Sequence, residues 1–158
     1  MKYKKILSLV YLLKQDAICL ALKKRGFGEG YWNGFGGKLE EGETVLESAV
    51  REVKEESTVI VHEENFEKIA INEFLFKDGT HLEVHAFLVR IFVGSPQETE
   101  EMKPYWFSYE DIPYKYMWAS DPYWLSRALS GEKLLGKVWF QENARSIEKM
   151  EWNSAVEF

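Results

Sequence analysis

Residues 34–57 read GFGGKLEEGETVLESAVREVKEES, a glycine-rich turn followed by an acidic segment with helical periodicity. Thr44 and Glu47 have the spacing of a capping box, which predicts a helix over residues 44–57. Apolar residues recur along this segment at i, i+3, i+4 and i+7, namely at Leu46, Ala49, Val50 and Val53. One face of the helix is therefore expected to pack against a sheet.

Three glutamates share a second face of the same helix. Glu52, Glu55 and Glu56 stand at i, i+3 and i+4, so helical geometry brings their carboxylates together. A divalent cation would reverse their repulsion, and Mg²⁺ prefers carboxylate oxygens, water and substrate phosphates as ligands. Arg51 is expected to pair with Glu55 and to leave the other two free. Taken alone, such a face is more often solvated surface than a metal site, but the adjoining glycine turn favours the metal.

The remaining segments predict strands on both sides of that helix. Apolar or alternating runs predict strands at residues 3–13, 17–22, 66–76, 82–93, 105–107 and 137–141, and a final strand or helix near 147–152. A second helix is predicted over residues 122–129, with Asp121 as its N-cap. Residues 23–38 alternate glycines with large aromatic side chains and are predicted to form a shaped loop. This order of elements favours an α/β or α+β sandwich.

Length and composition limit the class of protein. The chain has 158 residues, 46% of them hydrophobic, so we expect a single domain over residues 1–158. A net charge of −6 argues against binding nucleic acid through bulk positive charge. The apolar run at residues 6–13 is too short to span a membrane and is expected to be a core strand. The single cysteine, Cys19, is expected to be a buried, inert thiol in a cytoplasmic protein.

The order Gly37, Glu43, Arg51-Glu52 and Glu55-Glu56 resembles the Nudix box, with Thr58 in place of its final glycine. KKRGFGEGYWNGFGGK (23–38), EEMKPYWFSYEDIPYKYMW (100–118) and DPYWL (121–125) resemble the oxidised-purine nucleoside triphosphatases, the MutT homologues of that family. This resemblance covers about residues 3–140 and implies the Nudix fold, an α/β/α sandwich around a mixed β-sheet. It also implies Mg²⁺-dependent hydrolysis, with Mn²⁺ as an alternative ion, of a triphosphate such as 8-oxo-dGTP to monophosphate and pyrophosphate, which cleans the nucleotide pool.

The resemblance also implies the site residues. The metal ligands would be the main-chain carbonyl of Gly36 and the side chains of Glu52, Glu55, Glu56 and Glu101. The substrate would contact Ser8, Lys23, Phe27, Asn33, Phe35, Gly36, Gly37, Lys38, Trp118, Ser120 and Asp121. The catalytic set would be Glu56, Glu52 and Arg51. Glu56 is favoured as the general base, with Glu52 or Glu101 as alternatives.

One departure from the resemblance bears on base preference. In the oxidised-purine triphosphatase that this chain resembles, two adjacent aspartates read the base, whereas this chain has Ser120-Asp121. Two close carboxyls can hold one proton between them, and a serine beside one aspartate cannot reproduce that coupled titration. We therefore expect the pyrophosphohydrolase chemistry to be retained and the base preference to be altered or narrowed.

Two other functions stay open at this point. The chain could be a Nudix hydrolase for another diphosphate, such as ADP-ribose or a dinucleoside polyphosphate, or a non-catalytic nucleotide-binding module. The segments around Asn33 and Trp118 argue against the first alternative, and the complete set of box glutamates argues against the second. We expect a monomer whose partner is a small nucleotide, without nucleic-acid or membrane partners.

Overall fold

A computed structural model describes residues 4–143, 145–155 and 157–158. The strands are β1 (Lys4–Lys14), β2 (Ala17–Lys23), β3 (Trp32–Asn33), β4 (Phe35–Lys38), β5 (Phe66–Leu75), β6 (His81–Val89), β7 (Met102–Ser108), β8 (Lys133–Phe140) and β9 (Ile147–Ala155). The helices are α1 (Val45–Ser57) and α2 (Asp121–Leu129), and three short 3₁₀ turns lie at Glu63–Asn65, Tyr109–Asp111 and Tyr114–Tyr116. Among the described residues, every helix is too short or too polar to qualify as a membrane span.

The strands join in one mixed sheet. Its order is β3-β2-β1-β6-β5-β8-β9, with β4 also paired to β1 and β7 also paired to β2. The pairs β1–β6 and β5–β8 are parallel, and the other pairs are antiparallel. The predicted mixed α/β fold is therefore confirmed.

Strand β1 lies at the centre of the molecule and is buried on both faces. Tyr11 and Leu13 pack in one core cluster with Trp124 and Leu125 of α2. Val10 and Leu12 pack in the second cluster, which includes Ala49 and Val53 of α1. Because side chains alternate along a strand, one short apolar run supplies both cores. The two helices therefore cover opposite faces of the sheet.

Helix α1 begins and ends with clear local signals. The Thr44 hydroxyl accepts from the Glu47 N–H at 3.1 Å, and the Glu47 carboxylate accepts from the Thr44 N–H at 2.9 Å, so the predicted capping box is present. The helix ends at Thr58, whose φ of 70° lies in the left-handed region and whose N–H donates to the Lys54 carbonyl. Thr58 therefore makes the exit turn for which glycine is the usual residue.

The predicted loop over residues 23–38 is partly wrong, because its second half forms β3 and β4. Strand β4 pairs with β1, with Gly36 opposite Leu9 and Gly37 opposite Ser8. A Cβ on Gly36 would overlap the Ser8 carbonyl, so the backbones can approach this closely only with glycine at position 36. Strands so short and rich in glycine lack the alternation by which strands are predicted.

Other predicted boundaries also shift. The strand predicted at 82–93 ends at Val89, and Val93 forms only an isolated bridge with Ile60. The strand predicted at 105–107 spans Met102–Ser108, because it pairs along the whole of β2. The segment near 147–152 is a strand, Ile147–Ala155. Tyr3, predicted to start the first strand, lies outside the described residues.

The predicted N-cap of α2 is wrong by one residue. Ser120 precedes the helix, and Asp121 is its first residue. The Asp121 carboxylate accepts from the Trp118 N–H at 3.2 Å and from the Trp124 indole N–H at 3.0 Å. These donors differ from the free N–H groups of a first helical turn, so Asp121 has another role than capping.

Candidate active site

A cavity of about 540 Å³ opens between α1, strand β4, the 23–31 segment and the start of α2. It is lined by two contrasting groups of side chains. The carboxylate cluster consists of Glu52, Glu55, Glu56 and Glu101. The aromatic wall consists of Phe27, Tyr31, Phe76, Trp118 and Phe140. A single cavity therefore offers oxygen ligands and flat apolar surfaces to the same molecule.

The structure brings most of the predicted site residues to this cavity. Those that line it are Ser8, Lys23, Phe27, Asn33, Gly36, Gly37, Lys38, Arg51, Glu52, Glu55, Glu56, Glu101, Trp118 and Asp121. Phe35 and Ser120 do not line it. Phe35 is fully buried in the core beneath α1, and Ser120 is fully buried before α2. Neither side chain can contact a ligand in the cavity as it stands.

Glu56 is the most deeply placed member of the carboxylate cluster. It is only 5% exposed, and its Oε1 accepts a hydrogen bond from the Gly36 N–H at 2.9 Å. Burial raises the pKa of Glu56 to about 8, and repulsion from Glu52 and Glu101 acts in the same direction. The Gly36 hydrogen bond and the charge of Lys23 partly offset these effects.

Glu52 lies beside the second glycine of β4. A Cβ on Gly37 would stand 2.8 Å from the Glu52 Oε1, so a larger residue at position 37 would displace this carboxylate. Burial raises the pKa of Glu52, although Arg51 opposes the shift through its charge and a hydrogen bond. The glycines thus shape both the strand pairing and the space in which the glutamates lie.

Arg51 connects several acids instead of the single partner that was predicted. Its Nε donates to Glu43 at 2.6 Å, and its Nη1 donates to Glu52 at 2.9 Å and to Glu55 at 3.2 Å. The prediction that Glu52 is left free is therefore wrong, because the planar guanidinium reaches both neighbours at once. Its Nη2 also donates to the Lys38 carbonyl at 3.3 Å, which ties the helix to the end of β4.

Glu101 reaches the cavity from the residue just before β7. Its carboxylate accepts from Arg25 at 2.6 Å and 3.0 Å, and this pairing lowers its pKa. A surface acid of this kind has no signal of its own in the sequence. The antiparallel pairing of β7 with β2 explains its position, because Met102 lies opposite Lys23 at the cavity edge.

The carboxylate cluster has the donor chemistry of a divalent cation site. All its ligand atoms are oxygens, and Glu52 and Glu101 both raise the pKa of the buried Glu56 by repulsion that a cation would relieve. In the described ranges, no three His, Cys, Asp or Glu side chains converge closely enough to hold a metal as they stand. The guanidinium groups of Arg51 and Arg25 hold Glu52, Glu55 and Glu101 instead. The residues fit a hard cation once these carboxylates turn towards it.

The aromatic wall is built around Trp118. Phe27 lies with its ring centroid 5.3 Å from that of Trp118, and Tyr31 stacks on Trp118 at 6.4 Å. Phe76 and Phe140 stack almost parallel, 4.8 Å apart. Phe27 is 70% exposed, which is unusual for so large an apolar side chain. Aromatic faces so arranged suit a planar ligand.

The polar groups beside this wall are Asn33, Ser8 and Asp121. The Asn33 Oδ1 accepts from the Gly34 N–H at 2.9 Å and from the Tyr11 hydroxyl at 3.5 Å. The amide nitrogen of Asn33 is therefore the group that can donate to a ligand in the cavity. The Ser8 hydroxyl is 3.1 Å from that of Ser48. Asp121 is only 3% exposed, and burial raises its pKa to about 7.

Replacement of Asp121 by Asn is expected to remove a pH dependence of stability. The pKa of Asp121 is about 7 in the folded chain against 3.8 for a freely solvated Asp carboxyl, so the folded state holds the proton more tightly. Stability from this group is therefore present below about pH 4 and is lost as the pH rises towards 7. Between pH 5 and 7 the free energy of unfolding of the unmodified chain should fall by about 2–3 kcal/mol more than that of Asp121→Asn.

Urea unfolding of both proteins at pH 5, 6 and 7 measures this difference. Asp121→Asn should be the less stable protein at pH 5, because its amide cannot accept from both Trp118 and Trp124. Only the change in the free energy of unfolding with pH tests the titration of Asp121. An equal change with pH in the two proteins would contradict it.

Several lining residues were missed from the sequence. Asn72, Phe74, Phe76, Leu82, Val84 and Phe140 come from β5, β6, β8 and the turn after β5. The apolar members of this set have the sequence signals of ordinary strands, so nothing local distinguishes them. Asn72 is the exception, since it is a polar residue directly after the apolar run Ile69-Ala70-Ile71.

Comparison with known proteins agrees with this geometry. The NUDIX domain matches residues 4–128. The chain is 42% identical to the oxidized purine nucleoside triphosphate hydrolase of Danio rerio, covering 91% of this chain and 92% of that protein. It is 40% identical to the Mus musculus protein of the same name, covering 90% of each. The fold matches the crystal structure of a MutT protein from Bacillus halodurans with a TM-score of 0.79 at 21% identity, covering 94% of this chain and 97% of that one.

These matches include both glycines of β4 and all of α1, so they contain the helix that carries the glutamates. Hydrolases with this domain use divalent metal ions, which agrees with the oxygen ligands of the carboxylate cluster. The chain belongs to the Nudix family of hydrolases.

Proposed function

We propose that the chain hydrolyses oxidised or otherwise modified purine nucleoside triphosphates, such as 8-oxo-dGTP, to the monophosphate and pyrophosphate. The observation that carries this proposal is the single cavity, which joins the carboxylate cluster to the aromatic wall. The oxidised-purine hydrolases of Danio rerio and Mus musculus, at 42% and 40% identity, support it. The protein would act in the cytoplasm as a monomer, with residues 1–158 as one unit, and would remove damaged nucleotides from the nucleotide pool.

The carboxylate cluster would hold Mg²⁺, with Mn²⁺ as an alternative. Glu52, Glu55, Glu56 and Glu101 would supply side-chain oxygens, and Gly36 would supply its main-chain carbonyl. Bound there, such an ion would supply positive charge to neutralise the triphosphate and to polarise the attacked phosphorus. Arg51 would position Glu52 and Glu55, and Lys23 and Lys38 would face the phosphates as point charges.

A carboxylate near the attacked phosphorus would accept a proton from water. We assign this role to Glu56, because its Oε1 is fixed by the Gly36 N–H in the deepest part of the cluster. Glu52 and Glu101 are the alternatives, since both lie within electrostatic reach of Glu56.

The base would bind at the aromatic wall. Trp118 and Phe27 would stack on it, a contact worth about 1–3 kcal/mol per base in other nucleotide sites. Asn33 offers its amide nitrogen, and Asp121 offers a carboxyl whose pKa of about 7 allows it to accept or donate near neutral pH. Phe35 and Ser120 would support this region from the core, because neither reaches the cavity.

A substrate panel with Mg²⁺ tests the proposal. The panel contains 8-oxo-dGTP, 2-hydroxy-dATP, dGTP, ADP-ribose and a dinucleoside tetraphosphate, with the products separated as monophosphate, diphosphate and pyrophosphate. We expect the highest kcat/KM for an oxidised purine triphosphate and release of pyrophosphate. Higher kcat/KM for ADP-ribose or the tetraphosphate would overturn the assignment of substrate, and binding without turnover would make the chain a non-catalytic module.

Replacement of Ser120 by Asp is expected to change base preference. A carboxyl at position 120 would lie next to the buried Asp121, and two close carboxyls shift each other's pKa. We expect the ratio of kcat/KM for 8-oxo-dGTP to that for 2-hydroxy-dATP to change by about tenfold, since one pKa unit corresponds to that factor. The matched control is Ser120→Ala, because the Ser120 hydroxyl has no hydrogen-bond partner in the described part of the chain. An unchanged ratio in Ser120→Asp would contradict the role of this pair.

A further inference from the structure

Three residues form a straight row across the last strands of the sheet. Asn72 of β5 lies opposite Gly136 of β8, and Gly136 lies opposite Trp152 of β9. The Trp152 indole N–H reaches over the glycine and donates to the Asn72 Oδ1 at 3.2 Å. A Cβ on Gly136 would overlap the indole nitrogen and stand 2.5 Å from the Asn72 Oδ1. Glycine at position 136 is therefore what permits this contact between strands that are not neighbours.

The indole fixes the orientation of the Asn72 amide. An indole N–H can only donate, so the oxygen of the amide must face Trp152 and the nitrogen must face away from it. That nitrogen has no hydrogen-bond partner among residues 4–143, 145–155 and 157–158, although Asn72 is only 1% exposed. A buried amide nitrogen without a partner is destabilising, because its hydrogen bond to water is lost and not replaced.

The surroundings show where a partner would come from. Asn72 lines the cavity, together with Phe74 on its own strand and Val84, its register partner on β6. These neighbours have no side-chain acceptor to offer. Asp121 lines the same cavity, but its two oxygens already accept from the Trp118 N–H and the Trp124 indole N–H. A ligand in this space can therefore supply the acceptor that the Asn72 nitrogen lacks.

We propose that Asn72 reads the base of the bound nucleotide by donating a hydrogen bond from its amide nitrogen to a carbonyl oxygen or ring nitrogen of that base. This inference rests on the proposed function, because it takes the ligand to be a purine nucleotide. Trp152 and Gly136 are positioning residues, since they hold the amide in the orientation that presents its nitrogen. A site built to donate to a base acceptor rejects bases that lack it, because the amide then stays unpaired.

Binding measurements separate this role from a structural one. The probes are 8-oxo-dGMP, which carries the base, and inorganic pyrophosphate, which does not. Two variants are compared with the unmodified chain. Asn72→Asp keeps an oxygen for Trp152 and loses the donor when its carboxyl is ionised, so binding is followed as the pH is raised from neutral. Asn72→Leu loses both groups. We expect the ratio of the Kd for 8-oxo-dGMP to the Kd for pyrophosphate to rise about tenfold or more in both variants. A ratio within twofold of the unmodified value would overturn the inference.

A third variant, Trp152→Phe, tests the positioning role of Trp152. Trp152→Phe keeps an aromatic ring beside Gly136 and removes the indole N–H, so the amide is free to turn. We expect a smaller rise in the same Kd ratio, between the unmodified value and that of Asn72→Asp. If the Kd ratio rose in Asn72→Asp but stayed unchanged in Trp152→Phe, Trp152 would have no positioning role.

A measurement on the unmodified chain avoids any loss of folding in the variants. The side-chain NH₂ resonances of Asn72 should shift downfield on addition of 8-oxo-dGMP and should stay in place on addition of pyrophosphate. Equal shifts with both ligands, or none with 8-oxo-dGMP, would overturn the role of Asn72. If the unmodified chain bound no purine monophosphate at all, the proposed function would fail instead, so the two failures are distinguishable.

Discussion

Glu56→Gln is expected to lower kcat for the best substrate by about 10²–10⁴-fold without unfolding the chain. The change removes a carboxylate that is proposed both to bind the cation and to accept a proton. The fold should survive, because the Gln oxygen can still accept from the Gly36 N–H. The free energy of unfolding should be equal or higher, since the variant removes the repulsion of Glu56 by Glu52 and Glu101.

Steady-state kinetics with Mg²⁺, together with urea unfolding, measures both effects on the same samples. The matched control is Glu64→Gln, an exposed glutamate in the turn after α1 that does not line the cavity. The double variant Glu52→Gln with Glu56→Gln should lose still more activity. Turnover close to that of the unmodified chain in the double variant would show that the carboxylate cluster is not the catalytic site.

Arg51→Met is expected to lower the free energy of unfolding by about 2–4 kcal/mol and to reduce kcat/KM. Glu43 and Glu52, whose side chains are only 16% and 13% exposed, would lose their cationic partner. Removal of one member of a buried pair costs about 3–5 kcal/mol, and the partial exposure of this network reduces that figure. The activity should fall because Glu52 and Glu55 would no longer be held beside the cavity.

Arg90→Met is the matched control for this variant. Arg90 pairs with Glu67 at 2.6 Å, but the two side chains are 59% and 46% exposed. Such a surface pair contributes less than about 1 kcal/mol. Arg51→Lys should recover only part of the stability, because an ammonium group cannot bridge Glu43 and Glu52 as the planar guanidinium does. If Arg51→Met and Arg90→Met lowered the free energy of unfolding equally, the Arg51 network would stabilise the chain no more than a surface ion pair does.

Helix α1 was the part of the fold most fully predicted from the sequence. Its capping box, its apolar face and its acidic face all repeat at fixed local spacings, so the structure confirms them closely. Strands β3 and β4 escaped prediction, because β3 is only two residues long and the pairing of β4 depends on the close approach that Gly36 permits to β1. The end of β6 was also missed, since the apolar residues Ile91 to Val93 follow Arg90, whereas the strand ends at Val89 and Val93 forms an isolated bridge with Ile60.

The site was predicted less evenly than the fold. The glutamates of α1 and the glycines of β4 follow from one continuous stretch, and they meet as expected. Phe35 was expected in the site and lies in the core, because side chains alternate along β4 and its neighbours Gly34 and Gly36 line the cavity. Asn72 and Trp152 are 80 residues apart, and no local pattern reveals that two strand pairings align them.

The position of Cys19 has a practical consequence for all these variants. Its side chain is fully buried in β2, and burial raises the pKa of its thiol to about 12. Alkylating reagents react with the thiolate, so the native chain should be almost inert to them. Labelling at this one atom would then report each transient opening of the sheet centre. Mass spectrometry of the labelled chain would thus rank the opening free energies of the variants under the same buffers used for kinetics, without any denaturant.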